Sequence, residues 1–227
     1  VLFLTLSAIE DINERGIYTD LVRELSVRGV NVYVVTPRQK RDNLPTELTR
    51  QDNISLLKVK TGNITSTKSL IEKGISTILI QYQYMKAIRE HFKDTHFDMV
   101  LYSTPPITFN KIAYCFKTTQ NSKTYLMLKD IFPQNAVDMG ILRKGSLLWR
   151  YFRKKEIELY KISDMIGCMS KANVVYLLKH NDFIEKDRVE IFPNAIKPVE
   201  YVEKKEKNIE VLKKYGIPMD LTLFIYG

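Results

Sequence analysis

Residues 1–36 read VLFLTLSAIEDINERGIYTDLVRELSVRGVNVYVVT and contain the pattern of a complete βαβ unit. The first six and the last seven residues of this stretch are apolar runs, which predict strands buried on both faces of a sheet. Between them Ile17, Leu21 and Leu25 recur every four residues, which predicts an amphipathic helix. A strand, a helix and a strand within so short a stretch require two parallel strands.

Capping and turn residues mark the predicted ends of these elements. Asn13 is suited to cap the helix, Gly29 to end it, and Pro37 to stop the second strand. Gly16 is expected in the first helical turn, where glycine costs about 1 kcal/mol against alanine. Because glycine has no Cβ, a phosphate or sugar can approach the positive end of the helix there. The alternative is a glycine that only packs against the next strand.

The same alternation continues along the chain. Further strands are predicted at 54–60, 98–103, 123–129, 165–169 and 189–192. Helices are predicted at 68–92, from the Thr104 cap to residue 116, at 146–162, and after the Ser170 cap. The apolar side of the helix 68–92 is expected to consist of Ile71, Ile75, Ile78, Leu79, Tyr82 and Met85. The pattern indicates an α/β fold, a Rossmann-like doubly wound parallel sheet with helices on both faces.

The composition changes after Pro193 and Asn194. Residues 197–207 are charged and lack apolar periodicity, which predicts a linker. A short helix at 208–215 and an apolar strand at 221–226 follow. We therefore predict a domain at 1–196, and at 197–227 a linker with the truncated start of a second domain.

Charge and composition limit the possible partners. The chain has a net charge of +9, and its basic residues are dense between Arg143 and Lys161. Such a patch suits phosphorylated substrates, anionic lipid or nucleic acid. No apolar stretch approaches the roughly 18 residues of a membrane span. Cys115 and Cys168 are expected to be buried, reduced thiols, as in a cytoplasmic protein.

The predicted helix at 146–162 carries apolar and basic residues at helical spacing. This composition is typical of a helix that rests on an anionic membrane surface. The alternative is a packed helix with a solvated basic face. The residues predicted to face the membrane are Trp149, Arg150, Arg153, Lys154 and Lys155.

Several enzyme classes lack their motifs here. The sequence has no G-x-G-x-x-G after the first strand, no G-K-[ST] and no G-x-S-x-G, which argues against dinucleotide oxidoreductases, P-loop NTPases and α/β serine hydrolases. The three histidines show no metal-ligand spacing, so no metal is expected. In open parallel sheets, ligands bind at the carboxyl ends of the strands. The polar segments there include Ser103 with Thr104, and Lys129 through Asn135.

Lys129 and Asp130 end a predicted buried strand at this edge. The aspartate is suited to accept hydrogen bonds from sugar hydroxyls, and the lysine to face a phosphate. The alternative is an ion pair without a functional role. Thr104 has a similar alternative, in which it serves only as a helix cap.

Five stretches of the chain together resemble glycosyltransferase family 4. The resemblance is to the subgroup that builds bacterial capsule and O-antigen repeats, including fucosamine-transferase-like enzymes. The stretches are Leu4–Leu21 (LTLSAIEDINERGIYTDL), Leu101–Phe109 (LYSTPPITF), Lys129–Gly140 (KDIFPQNAVDMG), Asp164–Asn173 (DMIGCMSKAN) and Phe192–Ile196 (FPNAI).

The resemblance implies the first lobe of a two-lobed GT-B enzyme. Such enzymes retain anomeric configuration without a metal, and they move a hexose or N-acetylhexosamine from a nucleotide sugar, here expected to be UDP-linked. The implied acceptor is a saccharide on a polyprenyl diphosphate, which places the protein in the cytoplasm at the inner face of the membrane. The E-x7-E carboxylates of the family belong to the second lobe, so this piece alone is expected to be inactive.

Individual positions carry implied roles from the resemblance. Gly16 matches the small residue that faces the donor phosphates, although Arg15 stands where many relatives have a second glycine. Lys129 and Asp130 match a catalytic-site segment in which many relatives have His-Asp. The remaining implied positions are Ser170, Pro193 and Asn194 in the cleft, and Ser103, Thr104 and Asn135 on the acceptor side.

Three other functions remain open from the sequence. A GT-B nucleotide-sugar epimerase uses the same fold, and its signature would lie in the second lobe. A non-catalytic sugar- or nucleotide-binding module is the second alternative. Nucleic-acid binding ranks last, because the basic residues form no aromatic-interleaved platform or recognition-helix motif; no nucleic-acid partner is therefore predicted.

Overall fold

The computed structural model describes residues 1–64, 70–198 and 209–218, without the side chains of 70–75. Contacts divide the chain into two compact units, Val1–Ile196 and Lys197–Gly227. In the second unit the described residues contain one short helix, Ile209–Lys214. The predicted strand at 221–226 and nearly all of the predicted linker lie outside the described residues. That the second unit begins another lobe stays a prediction.

An eight-stranded sheet forms the centre of the first unit, in the order β3-β4-β2-β1-β5-β6-β7-β8. All neighbouring strands are parallel except β3 and β4, which are antiparallel. The strands are β1 Leu2–Leu4, β2 Val32–Gln39, β3 Glu47–Gln51, β4 Ile54–Thr61, β5 Met99–Ser103, β6 Lys123–Leu128, β7 Met165–Cys168 and β8 Val189–Ile191.

Helices cover both faces of this sheet, which confirms the predicted fold class. Val22 of the first helix packs with Phe3 and Met127 on one face. The other face holds the larger core, which includes Ile88 and Leu159. The helices of the first unit are α1 Ile17–Val27, α2 Leu70–His91, α3 Asn110–Gln120, α4 Gln134–Asp138, α5 Leu147–Ile162 and α6 Lys171–His180, and the helix of the second unit is α7 Ile209–Lys214.

Two predicted boundaries near the start of the chain are wrong. Asn13 does not cap α1, because the helix begins at Ile17 with Gly16 at its N-cap. Pro37 does not stop β2, which continues to Gln39. The amide of Tyr33 and the carbonyl of Val35 bond to the β1 side. Every second residue of a strand faces the same neighbour, so the nitrogen of Pro37 also faces the β1 side. The pairing of β1 with β2 has already ended before Pro37. No hydrogen-bond donor is needed at that position.

The predicted apolar side of α2 is wrong for most of its described residues; only Met85 packs against the core. Ile78, Leu79 and Tyr82 are exposed, whereas Ile80, Tyr84 and Ile88 are buried against the sheet. These buried residues lie four apart and therefore form one stripe. Because α2 carries apolar residues on two sides, the sequence does not reveal which side packs. The side chains of Ile71 and Ile75 lie outside the described residues.

None of the described helices is long and apolar enough to cross a bilayer. Both cysteines are free; Cys168 is buried, as predicted, but Cys115 is only partly so. Burial raises the pKa of the Cys168 thiol to about 11.

Candidate functional site

The carboxyl ends of β1, β5, β6, β7 and β8 lie side by side along one edge of the sheet. Strand spacing places β1 about 19 Å from β8 along this edge. The segments that leave these ends carry nearly all of the predicted cleft residues. In strand order these are Arg15 and Gly16, then Ser103 and Thr104, then Lys129 and Asp130, then Ser170, and finally Pro193 and Asn194.

Thr104 follows β5 at this edge, and it does not cap a helix. After Pro106 the chain forms a 3₁₀ turn before α3, and no side chain caps either element. The buried Thr104 hydroxyl accepts hydrogen bonds from the amides of Lys129 (3.0 Å) and Asp130 (3.4 Å). It also donates to the Asp130 carbonyl, at 3.3 Å. Thr104 therefore sets the backbone of the two predicted catalytic residues.

Tyr18 belongs to the same cluster, although no motif in the sequence points to it. The Tyr18 hydroxyl lies near the side chains of Ser103 and Thr5. The Asp130 carboxylate is close enough to interact electrostatically with this hydroxyl. Burial raises the pKa of Tyr18, the neighbouring Ser103 and Thr5 side chains lower it by less, and the Asp130 carboxylate adds a smaller rise. Tyr18 therefore stays protonated at neutral pH and can donate a hydrogen bond at this edge.

Lys129 forms no ion pair with Asp130 or with any other carboxylate of the described chain, so the ion-pair alternative is wrong. Its ammonium nitrogen lies 5.3 Å from the centroid of the Phe192 ring, which follows β8. Burial lowers the pKa of Lys129. A half-buried ammonium group over an aromatic face is suited to bind an anion at the sheet edge.

Gly16 occupies a different place from the one predicted. It precedes α1 in an extended conformation, with φ 179° and ψ 163°, so its cost inside a helix does not arise. A Cβ there would approach the Thr19 hydroxyl to 3.1 Å. The Gly16 amide donates to Asp20 at 3.4 Å, and Asp20 also pairs with Arg23. A carboxylate of the protein itself therefore occupies part of the N-terminal end of α1.

Of the other predicted cleft and acceptor-side residues, only Ser170 has a structural role among the described contacts. Ser170 caps α6, as predicted, by accepting from the Asn173 amide at 3.3 Å. Pro193 and Asn194 are exposed after β8. The side-chain oxygen of Asn135, in α4, is buried and has no hydrogen-bond partner among the described residues.

Two of the five predicted membrane-facing residues point inward, so the prediction is wrong for them. Arg153 pairs with Glu156 and donates to Asn181 Oδ1 at 2.6 Å and to the His180 carbonyl at 3.0 Å. Trp149 lines a cavity of about 190 Å³ beside these groups, and its indole nitrogen is buried.

The other three residues of that prediction lie on the outer side of α5. Lys155 is partly exposed and pairs with Glu158 at 2.7 Å. Arg150 and Lys154 are exposed to solvent. The charged face of α5 is therefore narrower than the sequence indicated.

Comparisons with known proteins agree with this architecture. The family model described as Glycosyltransferase Family 4 matches residues 17–200. Arg15 and Gly16 lie just before this match. No curated protein matches the sequence.

Two solved structures are similar to the chain in fold. One is described as "Trehalose-6-phosphate from E. coli bound with UDP-2-fluoro glucose", with 9% identity and a TM-score of 0.58. The other is described as "OtsA apo structure", with 10% identity and a TM-score of 0.60. Each match covers 87% of this chain and 50% of the other, so the chain spans about half the length of these structures.

The parallel sheet, its polar carboxyl edge and the family match over residues 17–200 lead to one assignment. The chain belongs to glycosyltransferase family 4 and has the Rossmann-like fold of a GT-B glycosyltransferase lobe.

Proposed function

We propose that this chain is the acceptor-side lobe of a retaining, metal-independent glycosyltransferase. The enzyme moves a hexose or N-acetylhexosamine from a nucleotide sugar to a lipid-linked saccharide in capsule or O-antigen synthesis. The acceptor is a polyprenyl-diphosphate-linked saccharide, presented at the inner face of the cytoplasmic membrane. The observation that carries the proposal is the cluster of Tyr18, Thr104, Lys129 and Asp130 at one sheet edge.

The chemistry of this cluster suits a sugar bound beside a diphosphate. The exposed Asp130 carboxylate can accept hydrogen bonds from sugar hydroxyls, which fixes the sugar in one orientation. The Lys129 ammonium can offset negative charge on a departing diphosphate. Thr104 holds both backbones in place, so neither residue has to reorganise when the substrates bind.

A UDP-linked donor is the most direct choice for the nucleotide sugar. The E. coli structure with the similar fold is bound with UDP-2-fluoro glucose. Most of the carboxyl edge in this chain is polar or basic, as a surface that faces a nucleoside diphosphate requires.

Asp130→Asn tests the proposal in the full-length protein. The assay follows UDP release and the transfer of labelled sugar from a panel of UDP-sugars into a polyprenyl-linked lipid fraction. We expect Asp130→Asn to lower turnover about a hundredfold, because an oriented charge is lost from the site. Its free energy of unfolding should change by less than about 0.5 kcal/mol, since Asp130 is exposed.

Asp138→Asn is the matched control. Asp138 is also exposed, but it ends α4 and accepts a hydrogen bond from Gln134 away from the cluster. Equal turnover for the two variants would remove Asp130 from the site. Conversion of the donor sugar without any lipid would indicate an epimerase, and binding of an unchanged donor would indicate a binding module.

A further inference from the structure

A second feature of the first unit is an exposed surface that is both apolar and basic. It is formed by the segment after α4 and by the first two turns of α5. Met139, Ile141 and Leu147 are 64%, 69% and 84% exposed, which is unusual for three large apolar residues so close in sequence. We call it the apolar-basic surface; its apolar members are Met139, Ile141, Leu147, Leu148 and Tyr151, and its basic members are Arg143, Lys144, Arg150 and Lys154.

The charge of this surface is predominantly positive. The carboxylates beside it are Asp138, which precedes Met139 and accepts from Gln134, and Glu158, one turn beyond Lys154, which pairs with Lys155. Its four basic side chains are exposed, and no acidic residue occurs between Met139 and Lys155. The nearest acidic residue on α5 is Glu156, which is 3% exposed and paired with Arg153 on the inner side. The outer side of the first turns of α5 therefore presents apolar groups edged by positive charge.

Helical geometry separates this surface from the packed side of α5. Successive residues of a helix are 100° apart, which puts Leu147, Tyr151 and Lys154 on one side. The opposite side carries Glu156 and the inward-pointing Trp149. The exposed apolar groups are thus a distinct outer face.

Topology places the apolar-basic surface near the candidate site. Helix α5 follows β6 and must return to the opposite edge of the sheet before β7 begins, so it starts at the carboxyl edge. The same chain segment leads from Asp130, in the cluster, to Leu147, at the start of α5.

We propose that the apolar-basic surface docks the protein onto an anionic lipid bilayer, with Leu147, Leu148 and Tyr151 entering the headgroup layer. Basic residues around exposed apolar ones match the two components of such a membrane, negative headgroups and acyl chains. A polar protein partner would not require exposed apolar side chains beside the basic ones. Docking here would hold the neighbouring sheet edge close to the bilayer, where a lipid-linked acceptor resides.

Vesicle co-sedimentation of the full-length protein tests this docking without donor or acceptor, so its outcome is independent of the proposed reaction. The vesicles are phosphatidylcholine alone, or phosphatidylcholine with phosphatidylglycerol. We expect binding only to the anionic vesicles, decreasing with salt. Arg150→Gln/Lys154→Gln should weaken it roughly five-fold per removed charge, and Leu147→Ser/Leu148→Ser by about tenfold or more.

Matched variants elsewhere on the surface complete the test. Lys171→Gln/Lys179→Gln removes two exposed charges from α6, and Ile78→Ser/Leu79→Ser removes two exposed apolar groups from α2. Both should bind the vesicles as the unmodified protein does. The proposal is overturned if the unmodified protein does not bind anionic vesicles, or if the control variants lose as much binding as the α5 variants. It is also overturned if the α5 variants change only self-association, measured by sedimentation velocity.

Discussion

Thr104 shows how one hydroxyl can organise a site. It accepts from two amides and donates to one carbonyl, all in the segment Lys129–Asp130, which lies 25 residues further along the chain. A hydroxyl has two acceptor positions and one donor, so Thr104 uses its full capacity there. The sequence indicated a local helix cap instead, because nothing in the motif Ser103–Pro106 reveals so distant a partner.

Thr104→Val should destabilise the protein by about 1–3 kcal/mol, because the Asp130 amide loses its side-chain acceptor and the Lys129 amide keeps only the Met127 carbonyl, while the side-chain volume is kept. Denaturant unfolding measures this change. Thr118→Val is the control, because the exposed Thr118 hydroxyl donates only to carbonyls of its own helix, those of Tyr114 and Cys115. The control should stay within about 0.5 kcal/mol of the unmodified protein. Similar losses for the two variants would argue against the special role of Thr104.

The inner side of helix α5 holds a buried ion pair, whereas its outer side carries exposed basic residues. Glu156 is buried, and its two oxygens accept from Arg153 and from the Tyr160 hydroxyl. Burial raises the pKa of Glu156, and the bonds from Arg153 and Tyr160 only partly offset that rise. Arg153 therefore supplies the cation that the buried carboxylate needs, whereas Arg150 on the outer side is exposed to solvent.

Arg153→Met should destabilise the protein by about 3–5 kcal/mol, because it leaves the Glu156 carboxylate buried without its cation. Arg150→Met, one turn earlier and exposed, should change stability by less than about 0.5 kcal/mol. Chemical denaturation of the two variants separates the sides of α5. Adding Glu156→Gln to Arg153→Met should recover part of the loss; no recovery would mean that Arg153 stabilises through packing alone.

Across the whole molecule, buried parallel strands were the most predictable elements. β1, β2 and β4 through β7 are mostly apolar and buried, and the structure places each within three residues of the predicted ends; the short edge strand β8 is predicted equally well, although it is largely exposed. β3 was missed because Glu47–Gln51 is a mostly exposed, polar edge strand with no apolar run. The position of the candidate site at the carboxyl edge of the sheet could be predicted, because the loops that follow parallel strands converge at that edge. Tyr18 and the partners of Thr104 depend on contacts between distant segments, which a single sequence does not encode in any local pattern.

Asp164 links three elements of the first unit, and its ionisation should be visible in the stability of the whole molecule. Its carboxylate accepts from the Thr124 amide (2.8 Å) and hydroxyl (2.9 Å) in β6, and from Lys117 in α3 at 2.6 Å, just before β7 begins. Burial raises the pKa of Asp164, but the bonds from Lys117 and Thr124 outweigh it and lower the pKa below its usual value.

Because the folded pKa lies below the unfolded one, the folded state binds fewer protons, and the stabilising contribution is complete only above the unfolded pKa of roughly 4. Asp164→Asn should therefore cost about 1–3 kcal/mol at pH 7, from weakened charge-assisted bonds. The difference from the unmodified protein should shrink as pH falls through the folded pKa. Urea unfolding between pH 7 and pH 3 measures it, with Asp94→Asn as the control, since Asp94 is exposed. A loss that is independent of pH would mean that Asp164 stabilises the fold by its shape and hydrogen bonds, not by its charge.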